Sequence, residues 1–171
     1  MARVWLGPKL LCDRCFDRAV SRVTGWPELP DPPGPETLRG PDGRKHHMRF
    51  RLWRSGSGIV AEAEEFTPSG KLNLDGYHFK LVGSQTSDAL KPAEQLRDIV
   101  RREVGRLYLK RKWAGGDWLI DREEVRGRFV WADRDGHPYD VIVDGRKLTW
   151  EELGRALEAY EGWQFRLMIE D

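Results

Sequence analysis

The sequence predicts an α+β protein: antiparallel hairpins, two main helices and a C-terminal strand, with a small zinc-knuckle-like element at the N-terminus. Three observations carry that class. Short alternating runs flank turn dipeptides at Gly56-Ser57, Asp75-Gly76 and Asp135-Gly136. An apolar stripe of helical period starts near Pro92. Cys12-Asp13-Arg14-Cys15 has the spacing of a metal knuckle.

Taken in order, residues 1–25 form the Cys-x-x-Cys knuckle, a block too poor in apolar residues to fold unaided. Residues 26–43 hold six of the ten prolines and predict an extended arm without regular structure, a surface spacer or a ligand for a proline-recognising partner. His47 to Phe66 reads as a hairpin turning at Gly56-Ser57. That centre sets Trp53 opposite Val60, Arg51 opposite Glu62 and Arg49 opposite Glu64, and puts Phe50, Leu52, Ala61 and Ala63 on the core face. Tyr77 to Val82 makes a third strand. Pro92 to about Lys112 is the clearest helix, with Leu96, Val100, Val104 and Leu107/Tyr108 as its stripe and Arg97, Arg101, Arg102, Arg106 and Lys110 away from it.

The last third is dense in signals. Arg128–Ala132 and Tyr139–Val143 flank Asp135-Gly136, and Asp144-Gly145 makes a second tight turn. Thr149-Trp150-Glu151-Glu152 is a capping box, with Leu148 and Leu153 placed as a hydrophobic staple. Leu153, Ala156, Leu157 and Tyr160 give that helix its buried face, and Gly162 stops it. Trp163, Phe165, Leu167 and Ile169 then alternate with polar residues as a closing strand that buries Phe165 and Leu167. The expected segments are 1–25, 26–43, 44–113 with the hairpin, strand and basic helix, and an acidic ββαβ unit over 114–171, packed as one compact domain.

With 171 residues and 8 Trp, 6 Phe and 4 Tyr, the chain has material for a packed core, which excludes a wholly disordered protein. No run approaches 18 consecutive apolar residues and no signal-peptide-like run follows Met1, so neither a membrane span nor secretion is expected. Two cysteines cannot build a disulfide scaffold, which points to a reducing, cytoplasmic setting. The net charge of +1 hides a polarity: residues 1–114 carry a surplus of +7 and residues 115–171 a deficit of −6. Such polarity steers an anionic partner or drives self-association, although the 21 Arg against 8 Lys are equally what a GC-rich genome produces.

The Cys-x-x-Cys start, the His-His-Met-Arg-Phe strand with its Ala-Glu-Ala-Glu-Glu return, and the ending Thr-Trp-Glu-Glu-Leu-Gly-Arg…Tyr-Glu-Gly-Trp-Gln-Phe resemble bacterial domains of unknown function. The resemblance covers most of the chain outside the proline-rich arm. It carries no activity and so transfers no functional residue.

Cys12 and Cys15 can reach one tetrahedral Zn²⁺ from a single turn, in a closed structural site that supplies folding free energy. Two more ligands are needed. The candidates are His47, His46, His78 and His137, with an acidic side chain or water as substitute; His46 and His47, adjacent on a strand, point to opposite faces. A redox dithiol and plain thiols are the competing readings, the former wanting a helix N-terminus that the sequence does not reveal. Glu62, Glu64, Glu65, Asp75, His78 and Lys80 suggest a metal-dependent nuclease, but the hairpin register already pairs Glu62 and Glu64 with arginines, so a structural ladder is expected. No catalytic triad, phosphate loop, dinucleotide fingerprint or His-Glu-x-x-His signature is present.

Arg49, Arg51, Arg101, Arg106, Lys110 and Trp113 form the candidate surface for nucleic acid or another partner, basic residues interleaved with stacking rings such as Trp53 and Trp118. A solvated helix face with core tryptophans is the competing account. The expected function is a non-catalytic, zinc-stabilised interaction or adaptor module with a protein partner. Nucleic-acid binding is the alternative, and a metal-dependent enzyme a second one.

Overall fold

The computed structural model describes residues 3–6, 9–56, 58–85, 88–132 and 138–169, with side chains from Cys12 onward. The Asp135-Gly136 turn, His137 and Ser57 of the first hairpin turn lie outside the described residues. The chain is α+β, with antiparallel sheets and three α-helices, and divides into two compact units, 1–106 and 107–171.

In the first unit, β1 (Arg3–Leu6) and β2 (Lys9–Cys12) form a hairpin that runs directly into helix α1 (Asp13–Thr24). Its ends are specified locally: Asp13 in the first turn and Arg22 in the last complement the helix dipole, and Gly25 caps the C-terminus at φ +74°. The element that carries Cys12 and Cys15 is a ββα unit. The proline-rich arm is irregular through Pro35, but Glu36–Arg39 is a strand, β3. Past Pro35 every residue of that stretch keeps its N–H, so it can join a ladder.

β3 begins a four-stranded antiparallel meander continued by β4 (Lys45–Ser55), β5 (Gly58–Phe66) and β6 (His78–Gly83). The β4–β5 register is the one the charge pattern predicts: Trp53 pairs with Val60, Arg51 with Glu62, Arg49 with Glu64. Gly58 is required where it stands, because a Cβ there would lie 2.0 Å from the carbonyl oxygen of Gly83. Helix α2 (Leu90–Val104) buries Leu96, Val100 and Val104 against Met48, Phe50, Ala61 and Ala63. It ends at Val104, eight residues before the expected end near Lys112. Leu107 and Tyr108 continue the spacing by coincidence, for Tyr108 belongs to the core of the second unit.

In the second unit, β7 (Leu109–Arg111) pairs with β8 (Trp118–Ile120), and β9 (Gly127–Trp131), β10 (Tyr139–Val143) and β11 (Arg146–Leu148) form a sheet in the order β11-β10-β9. Asp144 at φ +52° and Gly145 at φ +60° make the tight turn between β10 and β11. The buried Asp144 carboxylate also accepts N–H bonds from Tyr108 at 3.0 Å and Leu109 at 2.9 Å, which fixes the start of β7. Helix α3 (Trp150–Leu157) opens on the complete capping box: Glu152 N–H donates to Thr149 Oγ1 at 3.1 Å, and Thr149 N–H to Glu152 Oε2 at 2.8 Å. Ala156 is fully buried and Leu153 and Tyr160 pack on the core, whereas Leu157 is half exposed. A 3-10 turn, Glu158–Tyr160, follows. The predicted closing strand is not formed: residues 163–169 have no strand partner, and Phe165 is 91% and Leu167 71% exposed. Alternation alone cannot make a strand; it needs a neighbour that supplies the ladder.

Candidate functional site

The cysteine pair sits where β2 hands over to α1. Cys12 is the extended N-cap residue and Cys15 lies in the first helical turn; Cys12 is half-buried and Cys15 exposed. The Cys15 N–H and then its S–H donate to the Cys12 sulfur and hold that thiol below its ordinary pKa, against a smaller opposing effect of burial. Donating its S–H to Cys12, and facing charge there, raises Cys15, with Arg18 and Arg14 pulling the other way. The helix N-terminus that dithiol chemistry wants is therefore present.

The carboxylates nearest in sequence turn inward. Asp13 pairs with Arg51 at 3.0 Å. Asp17 binds Arg54 at 2.8 Å and accepts the Leu29 N–H at 2.7 Å. The histidines are engaged on the sheet. His46 is 2% exposed and its Nδ1–H donates to Glu65 Oε1 at 3.0 Å; His47 meets Thr37 Oγ1 at 2.9 Å; His78 meets Glu62 at 2.9 Å. Burial pushes the Glu65 carboxyl up, but hydrogen bonds from His46 and the Tyr77 N–H outweigh it and hold the group below the ordinary glutamate range. Glu62 is lowered by its hydrogen bond to His78, opposed by burial and helped by Arg51.

Among the described residues, the group of close-set ligand-type atoms is Glu62, Glu64 and His78, within 4.8 Å of one another. Arg51 binds Glu62 at 3.1 Å and Lys80 stands across from it, whereas Arg49, opposite Glu64 in the register, lies over Phe66, so among the described residues one of the two expected ion pairs of the ladder is formed. The structure thus brings Cys12 and Cys15 together and engages His46, His47 and His78 elsewhere.

The predicted basic surface is largely committed to internal partners. Arg51 bridges Asp13 and Glu62, and its guanidinium lies 5.0 Å from the Trp53 ring. Arg49 lies over Phe66 at 4.0 Å. Arg97 and Arg101 both bind Glu36 at the start of β3, Arg101 at 3.1 Å. Lys110 binds Asp121 at 3.0 Å and belongs to β7, not to the helix. Arg106 follows the end of α2, half-buried. Trp113 is 58% exposed, and Lys112 stands 5.3 Å from its ring. Trp118 is flanked by Arg111 at 3.8 Å and Arg146 at 5.3 Å.

A surface that sequence reasoning missed lies on the second unit. Phe129, Trp131, Tyr139 and Trp150 are all about half exposed or more, and with Pro138 the first, third and fourth line a shallow depression. Phe129 and Trp150 rings are 6.2 Å apart; Trp131 and Tyr139, paired across β9 and β10, meet edge to face at 5.6 Å. The signal was available, since Phe129 and Trp131 alternate on a strand whose hairpin register sets Tyr139 opposite Trp131.

These features define an α+β protein of two units, one with a thiol pair at a helix N-terminus and one with an exposed aromatic face. Residues 30–105 match the family model of a domain of unknown function (DUF7686), and residues 108–171 match that of another (DUF7713). The resemblance to domains of unknown function is borne out, and Cys12 and Cys15 lie outside both matched stretches. The chain matches no curated protein and no solved structure.

Proposed function

We propose that the chain is a non-catalytic protein-interaction module, zinc-stabilised at Cys12 and Cys15, that docks a partner on the aromatic face of its second unit. The observation that carries this reading is the cluster of Phe129, Trp131, Tyr139 and Trp150 in the open on one sheet. Rings of that size left exposed together lose hydrophobic free energy that a partner's apolar side chains recover. The occupant follows from the topology. β9 is the terminal strand of its sheet, so a row of backbone donors and acceptors runs beside the rings. An extended partner segment with apolar residues at alternate positions pairs with that edge and seats its side chains among them.

Zinc at the cysteine pair is structural in this reading, holding the ββα element by thiolate ligation. The basic residues favour the protein partner over nucleic acid, because Arg51, Arg97, Arg101 and Lys110 spend their charge on carboxylates of the same chain.

Selection of displayed random peptides on the intact protein tests the docking surface. The expected result is enrichment of segments with alternating apolar residues, whose binding falls at least about tenfold with Trp131→Ala, a loss of roughly 1.4 kcal/mol. Trp131 is 71% exposed, so that variant should melt like the parent. Peptides that bind the variant equally well, or salt-sensitive binding of RNA in place of peptides, would overturn the reading.

A further inference from the structure

We infer that Cys12 and Cys15 are one half of a tetrahedral tetrathiolate zinc site that a second copy of this chain completes; the inference rests on the proposed binding of zinc at this pair. A cysteine at the end of a strand and another three residues on, in the first turn of the following helix, bring two sulfurs to one point. Zinc in a structural site takes four ligands.

Among the described residues, the alternative ligands already have partners. Asp13 and Asp17, the carboxylates on α1, are bound to Arg51 and Arg54. His46, His47 and His78 bind Glu65, Thr37 and Glu62 on the sheet. Among the described residues, no cysteine belongs to a group of three ligand-type side chains, and the sequence holds two cysteines in all. The pair is open to another molecule, with Cys15 exposed and Cys12 half-buried.

Charge makes a second copy the fitting donor. A zinc ion with four thiolates carries a net charge of −2. Each copy brings a helix N-terminus, where unpaired N–H groups favour negative charge, while Arg14 and Arg18 on the same helix pair with Asp31 and Glu28 at 3.4 Å. Two copies facing each other through their α1 N-termini therefore place two positive helix ends around the dianionic centre. The same groups would repel one another without the metal, so the dimer should form only with it.

Zinc titration of the reduced, metal-free full chain, followed by native mass spectrometry, tests this. The expected endpoint is half an equivalent of zinc per chain, with a dimer that holds one zinc and falls to monomer in excess chelator. Cobalt in place of zinc should give the intense thiolate-to-metal absorption of four sulfur ligands. Cys12→Ser with Cys15→Ser should leave a monomer that binds neither metal; should that variant misfold, the titration endpoint of the native chain still decides. One zinc per monomeric chain would overturn the shared site while leaving the zinc reading in place. No zinc at all would overturn both, and a dimer that survives chelation would show that the metal does not make it.

Discussion

Asp17 ties three parts of the first unit with one carboxylate: α1 carries it, the proline-rich arm donates the Leu29 N–H to it, and Arg54 of β4 binds its other oxygen. Both side chains of the ion pair are more than nine-tenths buried, so neither charge can turn to water once its partner is gone. Asp17→Ala should therefore destabilise the first unit by about 3–5 kcal/mol in denaturant unfolding, and Asp17→Leu combined with Arg54→Met should recover most of that loss. Equal midpoints for Asp17→Ala and the parent would mean that the pair is not formed. Glu65 is the second buried acid with a consequence that can be measured. Its carboxyl is held below the ordinary glutamate value by His46 and the Tyr77 N–H, so the stability it confers is complete above the unfolded-state value of about 4.3. That stability is lost as pH falls through the lower folded value. Glu65→Gln should flatten the acid limb of a stability-against-pH curve and leave its shape near neutrality unchanged; an unaltered acid limb would assign acid unfolding to other carboxylates.

At the scale of elements, α3 shows how local chemistry suffices. Thr149 and Glu152 satisfy each other's backbone donors, and both were legible in the sequence, as was the β4–β5 register from two charge pairs. Other elements diverged, for physical reasons. α1 carries both caps and an apolar face at helical spacing, Phe16, Ala19, Val20 and Val23, but that face is only partly buried and Val23 is exposed, so the period is there without a core to receive it. The spacing from Val104 to Tyr108 ran across the boundary between two cores. For the candidate site, the cysteine spacing and the caps and period of the helix beneath it were all present in the sequence. The tail is the plainest divergence: an alternating pattern in the sequence, an exposed extended segment in the structure. Large-to-small changes cost stability only where side chains are buried. Deleting residues 164–171 should thus leave the melting temperature of the second unit within about 1–2 °C of the parent, and Phe165→Ala and Arg166→Ala should melt alike. A marked drop for Phe165→Ala would mean that the residue is buried in solution, against a surface that the tail finds there.

Across the whole molecule, the two family matches and the two hydrophobic clusters divide the chain at the same place, just after α2. Met48, Phe50, Ala61, Ala63, Leu96, Val100 and Val104 form one cluster; Tyr108, Leu109, Ile120, Val141, Val143, Leu148 and Ala156 form the other. Leu96 is 1% exposed and Leu148 fully buried, so truncating either opens a cavity at a cost of about 2–5 kcal/mol. That loss falls on the cooperative unit whose core contains the cavity. Hydrogen–deuterium exchange of the full-length protein reads the two units separately by peptide. Leu96→Ala should speed exchange in strands β4 to β6 and in α2, and leave β9 to β11 and α3 at parental rates. Leu148→Ala should do the reverse. If either substitution accelerates exchange along the entire chain to the same degree, the two cores unfold as one, and the division at residue 106 is one of contacts without being one of stability.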